Sequence, residues 1–322
     1  MMTPDIVLIN GPTISGETAS QFLWGEPEVG LRWLERLPDL VASICHDHNI
    51  ELSSELPDLS MNLVLFGDSS IHGPVALKLA PPHEEIASEF SMVMYVSGHG
   101  YPQVFDGDTT AAWLLMERVQ PGITLQHMAQ NNAIADDVAT RIAVNLILET
   151  NLPTPADASF PDLRRWLKSL FEYKSIHGDS GPLPSRQIEL ALRHAEWLLH
   201  LPDEPRLLHG DFHHGNIIQG QHGWMLIDPK GVVAPLIFEI GPWFYNPLEV
   251  DKRDDLPELF DRRFDIFAEI LGIERVKLWR AVFVACVLSD CWTVEDGHPE
   301  YCHHSSITRA LLTLPEATIQ DH

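Results

Sequence analysis

One stretch, Leu207 to Gly231, constrains the chain more than any other. It reads Leu-Leu-His-Gly-Asp-Phe-His-His-Gly-Asn-Ile-Ile-Gln-Gly-Gln-His-Gly-Trp-Met-Leu-Ile-Asp-Pro-Lys-Gly. Leu207-Leu208, Ile217-Ile218 and Trp224 to Ile227 are short apolar runs, and Gln219 to Gly223 supplies turn chemistry between the last two. The pattern predicts a β-hairpin with its loop midpoint at His222. Asn216 and Asp228 lie six residues before and after that midpoint, and symmetric positions of an antiparallel ladder face each other at about 5 Å. An amide oxygen and a carboxylate are therefore expected to converge at the open end of the hairpin, where a hard divalent cation wants oxygen ligands. Asp211, five residues before Asn216, adds a second carboxylate on a loop held by Gly210 and Gly215.

Asp-x4-Asn, followed after a hairpin by another Asp, is the spacing of the catalytic loop and metal-binding Asp of protein kinases. The run His209 to Asn216, with Ile227-Asp228-Pro-Lys-Gly231, resembles the aminoglycoside phosphotransferase family. His213-His214 and the Asp-Pro-Lys-Gly ending are similar to its streptomycin 6-kinase and hydroxyurea kinase branch. The resemblance implies that Asp211 orients and deprotonates a substrate hydroxyl, while Asn216 and Asp228 hold Mg2+ against the phosphates of ATP. It implies an α/β, two-lobe protein-kinase-like fold: a small antiparallel-sheet lobe over residues 1–118 and a mostly helical lobe over 119–322. The implied acceptor is a cationic aminocyclitol such as streptomycin, whose phosphorylation inactivates the antibiotic. Hydroxyurea, another aminoglycoside or an unrelated metabolite are alternatives within the class, and a catalytically silent nucleotide-binding protein lies outside it.

The histidines admit two readings. His209 shapes the loop as a buried hydrogen-bonding residue, or the cluster His209, His213 and His214 ligates zinc; the Asp and Asn at kinase spacing favour the first. Lys230, beside Asp228, touches either a phosphate or a neighbouring carboxylate.

Upstream, Val75-Ala76-Leu77-Lys78 resembles the kinase strand whose Lys binds phosphates and pairs with a helical Glu. Strand alternation puts Val75, Leu77 and Leu79 on one face and Ala76, Lys78 and Ala80 on the other. Its partner strand is expected at Met61 to Gly67, across a turn with no G-x-G-x-x-G. A helix over Pro82 to Val96 then offers Glu89 to Lys78, with Glu85 one turn away as the competitor. The apolar strand Ala111 to Val119 ends the first lobe, and the resemblance implies that backbone groups at Glu117 and Val119 bind adenine.

The remainder reads as scaffold. Glu28 to His48 is a helix kinked or divided by Pro38. Asn132 can cap a helix carrying Ile134, Val138, Ile142 and Leu146. Further helices are expected at Phe160 to Tyr173, Ser185 to Leu199, Leu256 to Leu271 and Glu274 to Asp296. Glu239, in Phe238 to Pro247, is either a substrate contact or an internal brace for the catalytic loop. Asp290, Trp292, Glu295 and Asp296 gather at the last helix end, where negative charge opposes the helix dipole. Trp292 and Glu295 are three apart and share a face, so a guanidinium could stack on the indole while the carboxylate takes its N–H groups. The alternative is a core Trp with a solvated acidic helix end.

Composition limits the partners. With 46 acidic and 21 basic side chains and a formal net charge of −25, a cationic small molecule is favoured and nucleic-acid binding disfavoured. Cys45, Cys286, Cys291 and Cys302 show no ligand spacing and read as reduced thiols. The N-terminus lacks the basic region of a signal peptide and no apolar stretch is long enough for a membrane span, so the expectation is a cytoplasmic protein without a membrane partner.

Overall fold

The structure is a computed structural model that describes residues 5–23, 27–54, 62–155, 160–247, 249–303 and 305–318. The chain divides into two compact units, Met1–Gly122 and Ile123–His322.

In the first unit the helix Pro27–Asp47 is continuous through Pro38. Trp33, Leu34, Leu37, Val41 and Ile44 form one buried face that continues across the proline. Their packing outweighs the roughly 3 kcal/mol that an interior proline costs a helix. This face covers a five-stranded antiparallel sheet in the order Ile50–Leu52, Leu63–Ser69, Gly73–Leu79, Trp113–Glu117, Val104–Asp108. Met61, at the start of the expected second strand, lies outside the described residues.

The central strand Gly73–Leu79 is buried on both faces. Val75, Leu77 and Leu79 join the core under the long helix, and Ala80 packs with Phe90 and Val93 of the helix Glu84–Val96 on the other side. That helix starts later than expected because the His83 side chain caps it, accepting the Glu85 N–H. The edge strand Val104–Asp108 was not foreseen. Its acids and glycine mask any alternation, and it pairs with Trp113–Glu117 through a bulge between Val104 and Asp106.

The second unit is mostly helical. Ser185–Leu199 and Leu256–Leu271 have the predicted bounds, and Arg275–Glu295 lies between Glu274 and Asp296 as its caps. Phe160 to Tyr173 is instead two helices, Leu163–Trp166 and Lys168–His177, meeting at Leu167. Asn132 is not an N-cap: it adopts a left-handed φ of 52° at the end of the preceding helix, its N–H on the Ala129 carbonyl. Helix Asp136–Glu149 therefore begins after Ala135 and buries Ala139, Thr140, Ala143, Val144, Leu146 and Ile147, leaving Val138 51% exposed.

Two three-stranded sheets carry the stretch Leu207 to Gly231. Arg206–Leu208 lies between Val232–Ala234 and Leu152–Pro153, and Ile217–Gln219 lies between Trp224–Leu226 and Ile123–Thr124. Beneath them Gly241 approaches Arg275–Glu295 so closely that a Cβ would fall 2.3 Å from that of Ala285. Only glycine lets Trp243 reach the loop from there.

Candidate active site

The hairpin forms, with a register one residue away from the symmetric expectation. The Gly220 N–H donates to the Gly223 carbonyl at 2.7 Å, and Ile217 pairs with Leu226. Asn216 therefore faces Ile227, whose N–H reaches its carbonyl at 3.0 Å. Asp228 follows with a left-handed φ of 58°, so a local backbone turn, rather than ladder symmetry, sets its place.

His209 ties the loop to the end of this hairpin. Its Nδ1 accepts the Asp211 N–H at 3.2 Å, so its Nε2–H donates to the Ile227 carbonyl at 2.8 Å. Its own carbonyl accepts the N–H groups of Lys230 and Gly231. Burial pushes the imidazole down to about 4 despite nearby Asp211. These bonds bracket Asp228 on both sides. Gly210, at φ +81°, keeps the loop against Val232, whose Cγ2 would lie 2.8 Å from an added Cβ.

Glu239 braces the same loop. One carboxylate oxygen accepts the His209 N–H at 2.6 Å and the other the Gly210 N–H at 3.0 Å. With both oxygens engaged and the residue only 6% exposed, the arrangement is the internal brace, not a surface presented to substrate. Burial pushes its carboxyl up to about 7 even so.

Asn216 donates from Nδ2 to the Asp211 carbonyl at 2.9 Å and to its carboxylate at 3.3 Å. That fixes the amide orientation and leaves Oδ1 as the atom able to meet a cation. With Asp228 this is an all-oxygen donor pair, the chemistry that suits Mg2+. His213 accepts the Gly215 N–H on Nδ1 and places Nε2 3.6 Å from the Asp211 carboxylate. Burial raises the Asp211 carboxyl, but the His213 imidazole together with His209 and Lys230 outweighs it, and the group lies at about 2. His214 is fully buried and stacks on Trp243 with centroids 3.5 Å apart. Trp243 is fixed in turn by its Nε1–H on Thr140 and by Arg263, which donates to its carbonyl and pairs with Asp136. The ring nitrogens of His209 and His213 are used within the loop, and no group of three His, Cys, Asp or Glu suited to a metal occurs among the described residues.

In the first unit, Lys78 Nζ lies 2.6 Å from Glu89 Oε1 with both residues buried, while Glu85 is exposed. Asn62 also donates to Glu89, at 3.2 Å. The Glu117 N–H donates to the Gln103 carbonyl at 2.8 Å, and Val119 follows beyond the strand Trp113–Glu117.

At the last helix end the expected pair does not share a site. Trp292 lines a narrow recess with Trp166, Gly210, Phe238, Glu239 and Tyr245, whereas Glu295 is exposed and accepts the Ser169 hydroxyl at 2.7 Å. Asp296 is the exposed helix cap; neither acid lines the recess. Trp166 was not foreseen, since half-exposure of an aromatic in a short helix leaves no mark in the sequence. A larger cleft of about 390 Å³, lined by Asp203, Glu204, Arg206, Glu274 and Lys277 among others, contains none of the motif residues. Its mixed charges single out no ligand.

A two-unit fold with a Lys–Glu pair on an antiparallel sheet, and an Asp-x4-Asn loop with a following Asp among helices, defines a phosphotransferase of the protein-kinase-like class. The family described as aminoglycoside/hydroxyurea antibiotic resistance kinase matches residues 60–297, and the chain belongs to it. It is 31% identical over 231 residues to streptomycin 3''-kinase of Klebsiella pneumoniae, covering 70% of this chain and 81% of that one. It is 24% identical over 299 residues to streptomycin 6-kinase of Streptomyces glaucescens, covering 90% and 92%. A thermostable mutant of aminoglycoside phosphotransferase APH(4)-Ia, solved in ternary complex with ADP and hygromycin B, shares the fold. Its TM-score is 0.57 at 12% identity, over 87% of this chain and 99% of that one. The chain is an enzyme of the kinase type with an alcohol group as acceptor. No helix among the described residues is long and apolar enough to cross a membrane.

Proposed function

We propose that this enzyme transfers the γ-phosphoryl group of ATP to a hydroxyl of a cationic aminocyclitol such as streptomycin, inactivating it. The observation that carries the reading is the Asp211 carboxylate, braced through Glu239 and addressed by Asn216 and His213. Kinase chemistry is mostly positioning and charge neutralisation, and these residues supply positioning. Asp211 orients the acceptor hydroxyl by accepting its hydrogen bond. The acceptor oxygen bonds to the γ-phosphorus as the bond to the ADP oxygen breaks. The hydroxyl proton, made acidic by that new bond, leaves late, to Asp211 or to the transferred phosphoryl oxygens.

Asn216 Oδ1 and Asp228 would hold Mg2+, which supplies charge neutralisation for the nucleotide phosphates when bound. Lys78, positioned by Glu89, addresses those phosphates, and the Glu117 and Val119 backbone meets the base. The net charge of −25 favours encounter with a cationic acceptor. The test is incubation with Mg-ATP and a panel of aminoglycosides and hydroxyurea, read by mass spectrometry. The reading predicts one phosphoryl added to streptomycin; addition to hydroxyurea alone would replace the acceptor while leaving the chemistry.

A further inference from the structure

Asn62 stands directly before the strand Leu63–Ser69, whose Val64 pairs with Lys78 on the central strand. Residues two apart along an extended chain share a face, so Asn62 projects on the side of Lys78, towards the helix that carries Glu89. Its Nδ2 donates to Glu89 Oε1 at 3.2 Å, the same oxygen that the Lys78 ammonium meets at 2.6 Å. All three residues are buried, none more than 4% exposed, and the ammonium also lies over the Phe90 ring, 5.5 Å from its centroid. A buried amide is costly unless it is hydrogen-bonded, and neither the strand pattern nor the Lys–Glu pair requires an amide at this position. What Asn62 adds is a donor without charge, so the carboxylate gains a second hydrogen bond while the buried lysine and glutamate stay in balance.

We propose that Asn62 is a positioning residue for the phosphoryl donor, holding Glu89 Oε1 so that the Lys78 ammonium stays where the nucleotide phosphates meet it. The inference rests on the reading that Lys78 addresses those phosphates, and adds what fixes it there. Lysine is a point charge on a flexible stem, so the carboxylate it leans on sets its place. That carboxylate itself ends a rotatable side chain, and Asn62 restrains it from the neighbouring strand. A neutral amide suits the task where an acid would not. Aspartate at this position would set two carboxylates against one ammonium, leave net negative charge in a dry site and oppose the phosphates.

The test measures the affinity of a non-hydrolysable ATP analogue with Mg2+, by calorimetric titration without acceptor, for wild type, Lys78→Ala, Asn62→Leu and Asn62→Asp. Asn62→Leu, close in size but without the donor, should weaken binding about three- to ten-fold, part of what a hydrogen bond to a charged group contributes. At about pH 5, where one of the two carboxylates is protonated and donates as the amide did, Asn62→Asp should bind nearly as wild type; at about pH 8.5 it should bind at least about five-fold more weakly. A merely structural residue would lower the melting temperature and leave affinity unmoved, so an affinity within about two-fold of wild type in Asn62→Leu overturns the inference. Should Asn62→Leu fail to fold, Asn62→Asp decides, and a ratio to wild type that stays flat across that pH range overturns it. An unmoved affinity in Lys78→Ala overturns the Lys78 reading and the inference with it. Weakened binding in Lys78→Ala beside normal binding in the Asn62 variants overturns the inference alone.

Discussion

The Lys78 ammonium and the Glu89 carboxylate lie 2.6 Å apart on facing elements of one core, each exposed by 3% or less. Helical spacing allowed Glu85 or Glu89, and burial decides between them. Removing one partner of a buried pair leaves the other's charge poorly compensated, at a cost of about 3–5 kcal/mol. Lys78→Ala and Glu89→Ala should therefore both raise the ATP KM, and Glu89→Ala should lower the melting temperature. Glu85→Ala should do neither; steady-state kinetics and a thermal melt of the three variants check this.

Asp228→Ala should weaken the dependence on magnesium specifically. Titrating Mg2+ at fixed ATP should show the half-saturating metal concentration rising at least ten-fold, with residual kcat reduced. If the magnesium curve is unmoved, Asp228 is not the metal ligand.

Glu239→Ala should reduce kcat and the melting temperature together, because it removes both acceptors from the His209 and Gly210 amides. Two buried N–H groups left unpaired cost about 1–3 kcal/mol each. A substrate contact would behave differently, raising the acceptor KM while leaving the melt unchanged.

The Asp211–Asn216 loop, the lysine strand and the long helices were legible because their signals are local: Asp211, Asn216 and Asp228 at fixed spacing, and apolar residues at helical periods. What escaped depended on context. The hairpin register shifted by one because the turn closes between Gly220 and Gly223, a backbone choice that symmetry about His222 could not anticipate. Asn132 has the side chain of a cap but ends the preceding helix, and the Val104–Asp108 strand is held by its neighbour rather than by its own pattern. Trp292 and Glu295 share helical spacing, yet Trp166 draws one inward and Ser169 holds the other at the surface.

Asp290 should make stability pH-dependent in a way that an isosteric amide removes. It is 1% exposed, and among the described residues its Oδ2 has no hydrogen-bond partner. Burial raises its carboxyl from the ordinary 3.8 to about 7, against the pull of the His303 N–H. The folded pKa thus exceeds the unfolded one, so the group destabilises nothing below pH 4 and progressively more as pH rises towards 7. Asp290→Asn keeps an oxygen for the His303 N–H and should raise the melting temperature by several degrees at pH 8 but hardly at pH 4. His209 and His214, both held below the usual imidazole range by burial, act oppositely. Their stability is intact above about pH 6.5 and falls as the unfolded chain takes up protons below it. In Asp290→Asn that acid-side loss should stand out more clearly, as melts from pH 4 to 8 would show.

If Asp211 directs an acceptor hydroxyl at the γ-phosphorus of ATP, exchanging its carboxylate for an amide removes that role while leaving the nucleotide site in place. Wild type and Asp211→Asn are incubated with Mg-ATP and streptomycin, and the phosphorylated product is quantified by mass spectrometry beside ATP KM. Product is expected with wild type, and Asp211→Asn should lower kcat by about 10²–10⁴-fold, with ATP KM changed less than about two-fold because the carboxylate addresses the acceptor. Near-normal turnover in Asp211→Asn would contradict it.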